Sequence, residues 1–68
     1  MITTAKRLGL RLKKLRTAQG LSQEALANKA RITREYVNKL EAGRYDPTIS
    51  VVQRLATVLK VTITELVR

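Results

Sequence analysis

Apolar residues recur along the chain at the three- and four-residue spacing of an α-helix, and no stretch alternates in the manner of a β-strand. In the first segment, residues 4–19, this spacing places Leu8, Leu12 and Leu15 on one narrow stripe, while lysines and arginines point away from it. Gly20 follows as a helix-terminating residue. The pattern therefore predicts a first amphipathic helix that buries a leucine stripe.

Capping residues divide the remainder of the chain into four shorter predicted helices. Each follows a serine or threonine whose side-chain oxygen can accept a hydrogen bond from the first turn. The expected helices are 23–30, 34–42, 49–60 and a last short one, with Ser22, Thr33, Thr48 and Thr62 as their N-caps. Five short helices in residues 1–68 predict a single all-α domain with one small core.

The composition narrows the functions open to the chain. It has 68 residues, too few for a second domain, and it contains neither cysteine nor histidine. Disulfides, cysteine-based zinc sites and histidine-based catalysis are thereby excluded, so we expect no enzyme, no metal site and no cofactor. Apolar runs of only two or three residues are far too short to cross a bilayer, which predicts a cytoplasmic protein.

The charge of the chain is large and unevenly placed. The net charge is +9 at pH 7, and residues 1–20 hold six of the fourteen lysines and arginines and no acidic residue. An excess of this size on so small a surface indicates a polyanionic partner. A basic stretch is also typical of a solvated helix face, so the charge alone leaves both interpretations open.

The predicted third helix, 34–42, separates apolar and polar side chains onto opposite arcs. At about 100° per residue, Tyr36, Val37 and Leu40 share a stripe that should face the core. The opposite arc holds Arg34, Glu35, Asn38 and Lys39. Arginine and asparagine make paired hydrogen bonds to guanine and adenine in the major groove. The arc therefore predicts contacts with bases, although many solvated surface helices show a similar arc.

Only three residues, 31–33, join the second and third predicted helices, and residues 22–42 together match a helix-turn-helix. The start of the second helix, at Ser22 and Gln23, presents unpaired N–H groups that favour an anion such as a phosphate. We therefore expect the second helix to contact the backbone of double-stranded DNA and the third helix to contact its bases.

Two runs of residues form an extended motif that spans most of the chain. They are Arg16-x-x-x-Gly20-Leu21-Ser22-Gln23-Glu24-x-Leu26-Ala27 and Ile32-Thr33-Arg34-x-x-Val37-x-x-Leu40-Glu41-x-Gly43-x-x-x-Pro47. This combination resembles the phage repressor and Cro-type helix-turn-helix family, also called XRE-like. The resemblance implies a compact five-helix, lambda-repressor-like domain of bacterial or phage origin that binds a two-fold related operator as a homodimer. Small members of this family include phage-type repressors, controller proteins of restriction-modification systems and antitoxins.

The resemblance also implies roles for the matching residues. Gln23 matches a position that contacts a phosphate, and Arg16 and Glu41 match a pair that ties the first helix to the end of the recognition helix. The positions that face bases or the nearby backbone are matched by Arg34, Glu35, Asn38 and Lys39. Glu35 either accepts a hydrogen bond from a cytosine amino group or pairs with Lys39, four residues further on. A chance approach of another basic residue to Glu41 is the alternative to the structural pair.

Three positions depart from the family pattern. Arg31 and Lys60 stand where many relatives have glycine after a helix, so either these residues adopt positive φ or the helices end differently. Ala42 replaces a polar residue that reaches a phosphate in some relatives. We therefore expect Arg44 to take a larger share of the phosphate contacts.

The C-terminal end carries a second apolar face, which predicts a homodimer. In the last helix Leu66 should face the core, whereas Ile63 and Val67 lie on another side. In the helix before it, Val51 and Val58 widen the apolar surface at a spacing of seven residues. Burial between two copies would stabilise so short a chain, and completion of the monomer's own core is the alternative.

These expectations define one leading function and two rivals. The leading hypothesis is a sequence-specific regulator of transcription that associates with the nucleoid when it is bound to DNA. The first rival is an antitoxin that neutralises a toxin partner and also binds its own promoter. The second rival is a membrane-surface peptide, because the first helix is basic and amphipathic. Its leucine stripe is narrow and lacks Trp and Phe, which argues against a membrane partner.

Overall fold

Five α-helices form the regular structure of residues 4–68, the part of the chain that the computed structural model describes. They are α1 (Thr4–Ala18), α2 (Gln23–Ala30), α3 (Arg34–Glu41), α4 (Ile49–Leu59) and α5 (Ile63–Val67). No strand occurs among these residues, so the all-α prediction is confirmed. None of these helices is long and apolar enough to span a bilayer. The predicted helices extended one residue too far at Gln19, Ala42 and Lys60.

The core is one cluster that draws side chains from all five helices. It contains Leu8, Leu12, Leu26, Ala27, Ala30, Val37, Leu40, Val51, Val52, Leu55, Ala56, Leu59 and Leu66. Helix α1 packs on α3 and α5, helix α2 packs on α3 and α4, and α4 packs on α5. Because every helix buries part of the same cluster, each helix is held in place by the core of the whole domain.

Three apolar residues lie elsewhere than the pattern predicted. The expectation that Val51 contributes to a C-terminal surface is wrong, because Val51 is buried in the core beside Val52. Leu15 and Tyr36 were expected inside core stripes, yet both are only half-buried and pack against the edge of the cluster. The buried face of α4 is therefore broader than the predicted apolar stripe of that helix. The buried faces of α1 and α3 are narrower than their predicted stripes.

Helices α2 and α4 end in the same way, with a residue other than glycine at positive φ. Arg31 has a φ of 60° and Lys60 has a φ of 59°. In both cases the next N–H donates to a carbonyl five residues back, at 2.9 Å after α2 and 3.0 Å after α4. Of the two alternatives, positive φ is therefore the one adopted, at a cost of about 1–2 kcal/mol for each non-glycine residue.

The short helix α5 begins with a reciprocal cap. The Thr62 hydroxyl accepts a hydrogen bond from the Glu65 N–H at 3.0 Å, and Glu65 Oε1 accepts one from the Thr62 N–H at 2.9 Å. The hydrogen bond from the Thr62 backbone is the main cause that lowers the pKa of Glu65 below its usual value. Arg11 Nε donates to the Glu65 carbonyl at 3.0 Å, so α5 is also tied to α1.

Candidate nucleic-acid interface

A three-residue turn joins α2 to α3 and fixes their relative direction. Arg31 takes the left-handed conformation after α2, and Thr33 caps α3 by accepting a hydrogen bond from the Tyr36 N–H at 3.0 Å. Ala27 and Ala30 are almost fully buried, so α2 presents small side chains to its neighbours. Residues 22–42 thus contain two short helices joined by three residues, which is the arrangement expected of a helix-turn-helix.

Helix α3 is anchored on one side and polar on the other. Val37 and Leu40 are buried, whereas Arg34, Glu35 and Asn38 are exposed. Three of the four residues predicted to contact bases therefore lie in solvent on a helix whose opposite face is fixed in the core. A side chain on a firmly packed helix can present its hydrogen-bonding groups in a defined direction.

Lys39, the fourth of these residues, is half-buried against an aromatic side chain from the loop after α3. Its Nζ lies 3.3 Å from the Tyr45 hydroxyl oxygen and 5.3 Å from the centroid of the Tyr45 ring. Tyr45 packs in turn on Tyr36, with 5.9 Å between the ring centroids. Within residues 4–68, no ion pair joins Lys39 to Glu35, so the pairing expected as one of two roles for Glu35 is not formed.

The start of α2 carries the two residues predicted there for phosphate binding. The Ser22 hydroxyl accepts a hydrogen bond from the Ala25 N–H at 2.9 Å and so acts as the N-cap. Ser22 is exposed and Gln23, the first residue of the helix, is half-buried. The side-chain oxygen of Ser22 is thus used to cap α2. The other backbone N–H groups of the first turn are the donors that could bind an anion.

Hydrogen bonds connect Gln23 to two residues of α3, one in the middle of the helix and one at its end. Gln23 Nε2 donates to Glu41 Oε1 at 3.0 Å, and Asn38 Nδ2 donates to Gln23 Oε1 at 3.4 Å. A primary amide has two N–H donors, so each of these amides keeps one N–H for another acceptor. The predicted phosphate contact and a predicted base contact therefore lie side by side, with their side chains oriented before any ligand binds.

Glu41, at the end of α3, is bound side-on by Arg16 of α1. Arg16 Nε donates to Oε2 at 2.6 Å and Nη2 donates to Oε1 at 3.0 Å, while Nη1 donates to the Leu21 carbonyl at 2.7 Å. The side chains are only 11% and 4% exposed. The hydrogen bonds to Glu41 are the main cause that raises the pKa of Arg16 above its usual value, and desolvation opposes them. The structure thus brings the expected pair together in a largely buried site.

Arg44 is exposed on the loop that leaves α3. Its N–H donates to the Lys39 carbonyl at 3.0 Å, which holds the start of the loop against the helix end. The preceding Gly43 has a φ of 75°, and a Cβ there would lie 2.7 Å from Lys6 Cγ, so the loop also approaches α1 closely. Ala42 is exposed and has no polar side-chain group, which leaves Arg44 as the cationic residue of the loop 42–48.

The three residues predicted for a dimer interface differ in their exposure. Val67 is 42% exposed, whereas Val58 and Ile63 are half-buried and pack against the core cluster. Val58 and Ile63 therefore already contribute to the monomer, as the alternative interpretation expected. Val67 is the residue of this set that a monomer leaves in solvent.

Two residues that shape this surface were not predicted. Gly9 lies in α1 where a Cβ would overlap the Leu40 carbonyl oxygen and lie 2.8 Å from the Glu41 carbonyl oxygen. Gly9 precedes Arg16 by seven residues and so lies on the same face of α1, and this spacing could have predicted that Gly9 also faces the end of α3. Tyr45 had no such signal, because a loop residue follows no periodicity. The described residues contain no group of three or more potential metal ligands.

The described residues form an all-α domain with a helix-turn-helix, and the second helix of that motif, α3, has a polar outer face. The chain belongs to the helix-turn-helix family, because the family model HTH_3, described as helix-turn-helix, matches residues 12–66. It is 33% identical over 60 residues to the immunity repressor protein of Bacillus phage phi105, covering 88% of this chain and 42% of that protein. It is 40% identical over 53 residues to the prophage-derived transcriptional regulator YonR of Bacillus subtilis, covering 78% and 49% of the two chains. The chain thus spans less than half the length of these relatives.

Solved structures show the same fold. The restriction-modification controller protein C.AhdI from Aeromonas hydrophila is 40% identical, with a TM-score of 0.88 over 91% of this chain and 94% of that one. The biofilm regulator SinR, solved in complex with DNA, is 29% identical, with a TM-score of 0.86 over 90% and 98% of the two chains. The expected resemblance to repressors and controller proteins of this family is therefore confirmed.

Proposed function

We propose that this chain is a sequence-specific regulator of transcription that binds double-stranded DNA with α3 in the major groove. The observation that carries the proposal is the hydrogen-bonded contact between Gln23 and Asn38. It sets a side chain suited to a phosphate beside one suited to a base edge, as a helix-turn-helix on DNA requires. The similarity to SinR, whose structure contains DNA, supports the same class of ligand.

Within this proposal the polar residues divide into two roles. Arg34 and Asn38 read bases, since their exposed side chains can make paired hydrogen bonds to guanine and adenine. Glu35 accepts a hydrogen bond from cytosine, and Lys39, fixed by Tyr45, contacts bases or the backbone beside them. The residues that bind phosphates are Ser22, through the helix start that it caps, Gln23 and Arg44. The net charge of +9 supplies a salt-dependent attraction that is common to all sequences.

A homodimer on a two-fold related operator completes the proposal. Its interface is centred on Val67, with Ile63 and Val58 at its inner edge against the core. Two recognition helices related by a two-fold axis would lie about 34 Å apart and enter successive turns of the major groove.

Selection of bound duplexes from a random pool at a stated salt concentration tests the function. The proposal predicts an enriched sequence made of two inverted half-sites, with centres about 10 base pairs apart. A pool without any enriched sequence, bound only at low salt, would contradict a sequence-specific function.

Sedimentation tests the dimer separately. We expect Val67→Asp to remain folded but to become monomeric, because Val67 is exposed and carries no core packing in the monomer. Ile49→Asp is the matched control, since Ile49 is 68% exposed at the first residue of α4, nine residues before Val58. The control should stay dimeric, whereas Val67→Asp should become monomeric and bind an intact operator more weakly. A monomeric wild-type protein at tens of micromolar would contradict the dimer.

A further inference from the structure

An open cleft with a volume of about 280 Å³ lies between the C-terminal end of α2 and helix α4. It is lined by Lys29, Arg31, Gln53, Arg54, Thr57 and Val58. Three of these six residues are cationic and none is acidic, so their charges repel one another unless an anion is present. The cleft shares no residue with the DNA surface proposed above.

Arg54 has a hydrogen-bonding edge of the kind that Arg16 uses to hold a carboxylate. In both residues Nη1 donates to a backbone carbonyl, at 2.7 Å to Leu21 for Arg16 and at 3.4 Å to Arg31 for Arg54. In Arg16 the opposite edge, formed by Nε and Nη2, binds the two oxygens of Glu41. In Arg54 the Nε is buried and has no hydrogen-bond partner among the described residues.

A buried N–H without an acceptor is unfavourable, so this edge favours a ligand whose oxygen atoms reach it once the side chains that line the cleft move aside. The side-on edge of a guanidinium matches two oxygens of one phosphate or carboxylate group. The nearby cations Lys29 and Arg31 add charge that a dianionic group neutralises better than a monoanionic one. Both are exposed, so their side chains can move to admit the group.

We propose that this cleft binds a phosphate group. Arg54 Nε and Nη2 donate to two of its oxygens, and Lys29 and Arg31 balance its charge. The group belongs either to the DNA backbone or to a free phosphorylated compound, which present the same chemistry to the cleft. The proposal does not depend on sequence-specific DNA binding, because none of the residues assigned to bases takes part.

Side-chain NMR of the arginine Nε–H groups tests the site directly. Inorganic phosphate is titrated into the full chain at constant ionic strength, against chloride. The Arg54 Nε–H resonance should shift and saturate, whereas that of Arg11, which already donates to the Glu65 carbonyl, should move little. A shift that rises without saturation, or that is equal for both arginines, would overturn the proposal.

Two variants with the same change of charge separate the site from general screening. In Arg54→Gln, followed through the backbone amide of Thr57, phosphate should bind about tenfold more weakly. In Lys13→Gln, which removes a charge from an exposed position on α1, the affinity should stay within about twofold. Equal weakening in both variants would mean that phosphate senses only the net charge.

Two further additions identify the source of the phosphate. If DNA fills the cleft, a short duplex alone shifts the Arg54 resonance and removes its response to inorganic phosphate. If the ligand is a free compound, the response persists on the protein–duplex complex. Acetate is the third probe, and binding of acetate as tight as that of phosphate would overturn the assignment in favour of a carboxylate.

Discussion

The guanidinium of Arg16 binds both carboxylate oxygens of Glu41, at 2.6 and 3.0 Å, and so fastens α1 to the last residue of α3. The same carboxylate accepts a hydrogen bond from Gln23 at 3.0 Å, so the start of α2 depends on it as well. One largely buried ion pair therefore joins the end of α3 to α1 and to the start of α2. We expect its role to be positional, since the two side chains are only 11% and 4% exposed.

Loss of either member of this pair should destabilise the fold. We expect Arg16→Ala and Glu41→Ala each to lower the free energy of unfolding by about 3 kcal/mol, because the remaining charge is left buried without a partner. The double variant should lose less than the sum of the two, since it removes both charges. Denaturant unfolding measures all three values, with the exposed Lys13→Ala as a control expected within about 0.5 kcal/mol of wild type. Small, additive losses would show that the pair contributes little.

Gly9 should not tolerate a methyl group, although it lies within a helix. Glycine-to-alanine changes in exposed helix interiors stabilise by about 1 kcal/mol. At Gly9 the added Cβ would overlap the Leu40 carbonyl oxygen, so α1 and α3 must separate. We expect Gly9→Ala to lower the free energy of unfolding by about 1–3 kcal/mol in a urea titration. An unchanged or raised stability would mean that the two helices are not held at this distance.

Relief of the positive φ at Lys60 should stabilise the protein. Lys60 is exposed, and its backbone conformation favours glycine. We expect Lys60→Gly to raise the free energy of unfolding by about 0.5–1 kcal/mol, once the greater flexibility of glycine in the unfolded chain is included. Lys60→Ala, which keeps the Cβ, is the control and should bring no such gain. A glycine variant less stable than the alanine variant would contradict the account.

The cap of α5 should weaken in acid. The pKa of Glu65 is lower in the folded chain than in the unfolded chain, where it is about 4.3. The Glu65 carboxylate therefore contributes its full stabilisation above about pH 4.3. This stabilisation is lost as the pH falls through the pKa of the folded chain. A carboxyl carbon NMR titration should give a Glu65 midpoint below about 4.3. Thr62→Ala should move that midpoint upward, since the helix start is then no longer held by its cap. A wild-type midpoint at or above about 4.3 would contradict the cap, and a midpoint unaffected by Thr62→Ala would assign the shift to the Thr62 backbone N–H alone.

The features that depend only on residues close together in the sequence, namely the helix caps, the helix bounds and the fold class, were predictable. The side chains of Ser22, Thr33, Thr48 and Thr62 all accept the capping hydrogen bonds that their positions predicted. The helix bounds follow from these caps and from the apolar spacing, and the fold class follows from the absence of any alternating pattern. The approach of Arg16 to Glu41, by contrast, was expected from the family resemblance, because no rule of spacing joins residues from α1 and α3.

The features that depend on how the helices pack were not predictable from a pattern. Val51 is buried because the rotation of α4 is set by its packing on α2 and α5, which lie elsewhere in the sequence. Tyr45 reaches Lys39 because the loop turns back at Gly43, and the path of a loop follows no period. The contact between Gln23 and Asn38 likewise requires the distance between α2 and α3, which the amino-acid sequence alone does not specify.

The most direct test of base reading by α3 compares two variants, Arg34→Ala and Arg44→Ala. The affinity of each is measured for a selected operator and for a random duplex at one salt concentration. Both residues are exposed arginines, so the two variants lose the same charge. The account predicts that Arg34→Ala weakens operator binding by about 1–3 kcal/mol and leaves the random duplex much less affected. It also predicts that Arg44→Ala weakens binding to both duplexes alike. An equal loss on both duplexes for Arg34→Ala would contradict the base-reading role of α3.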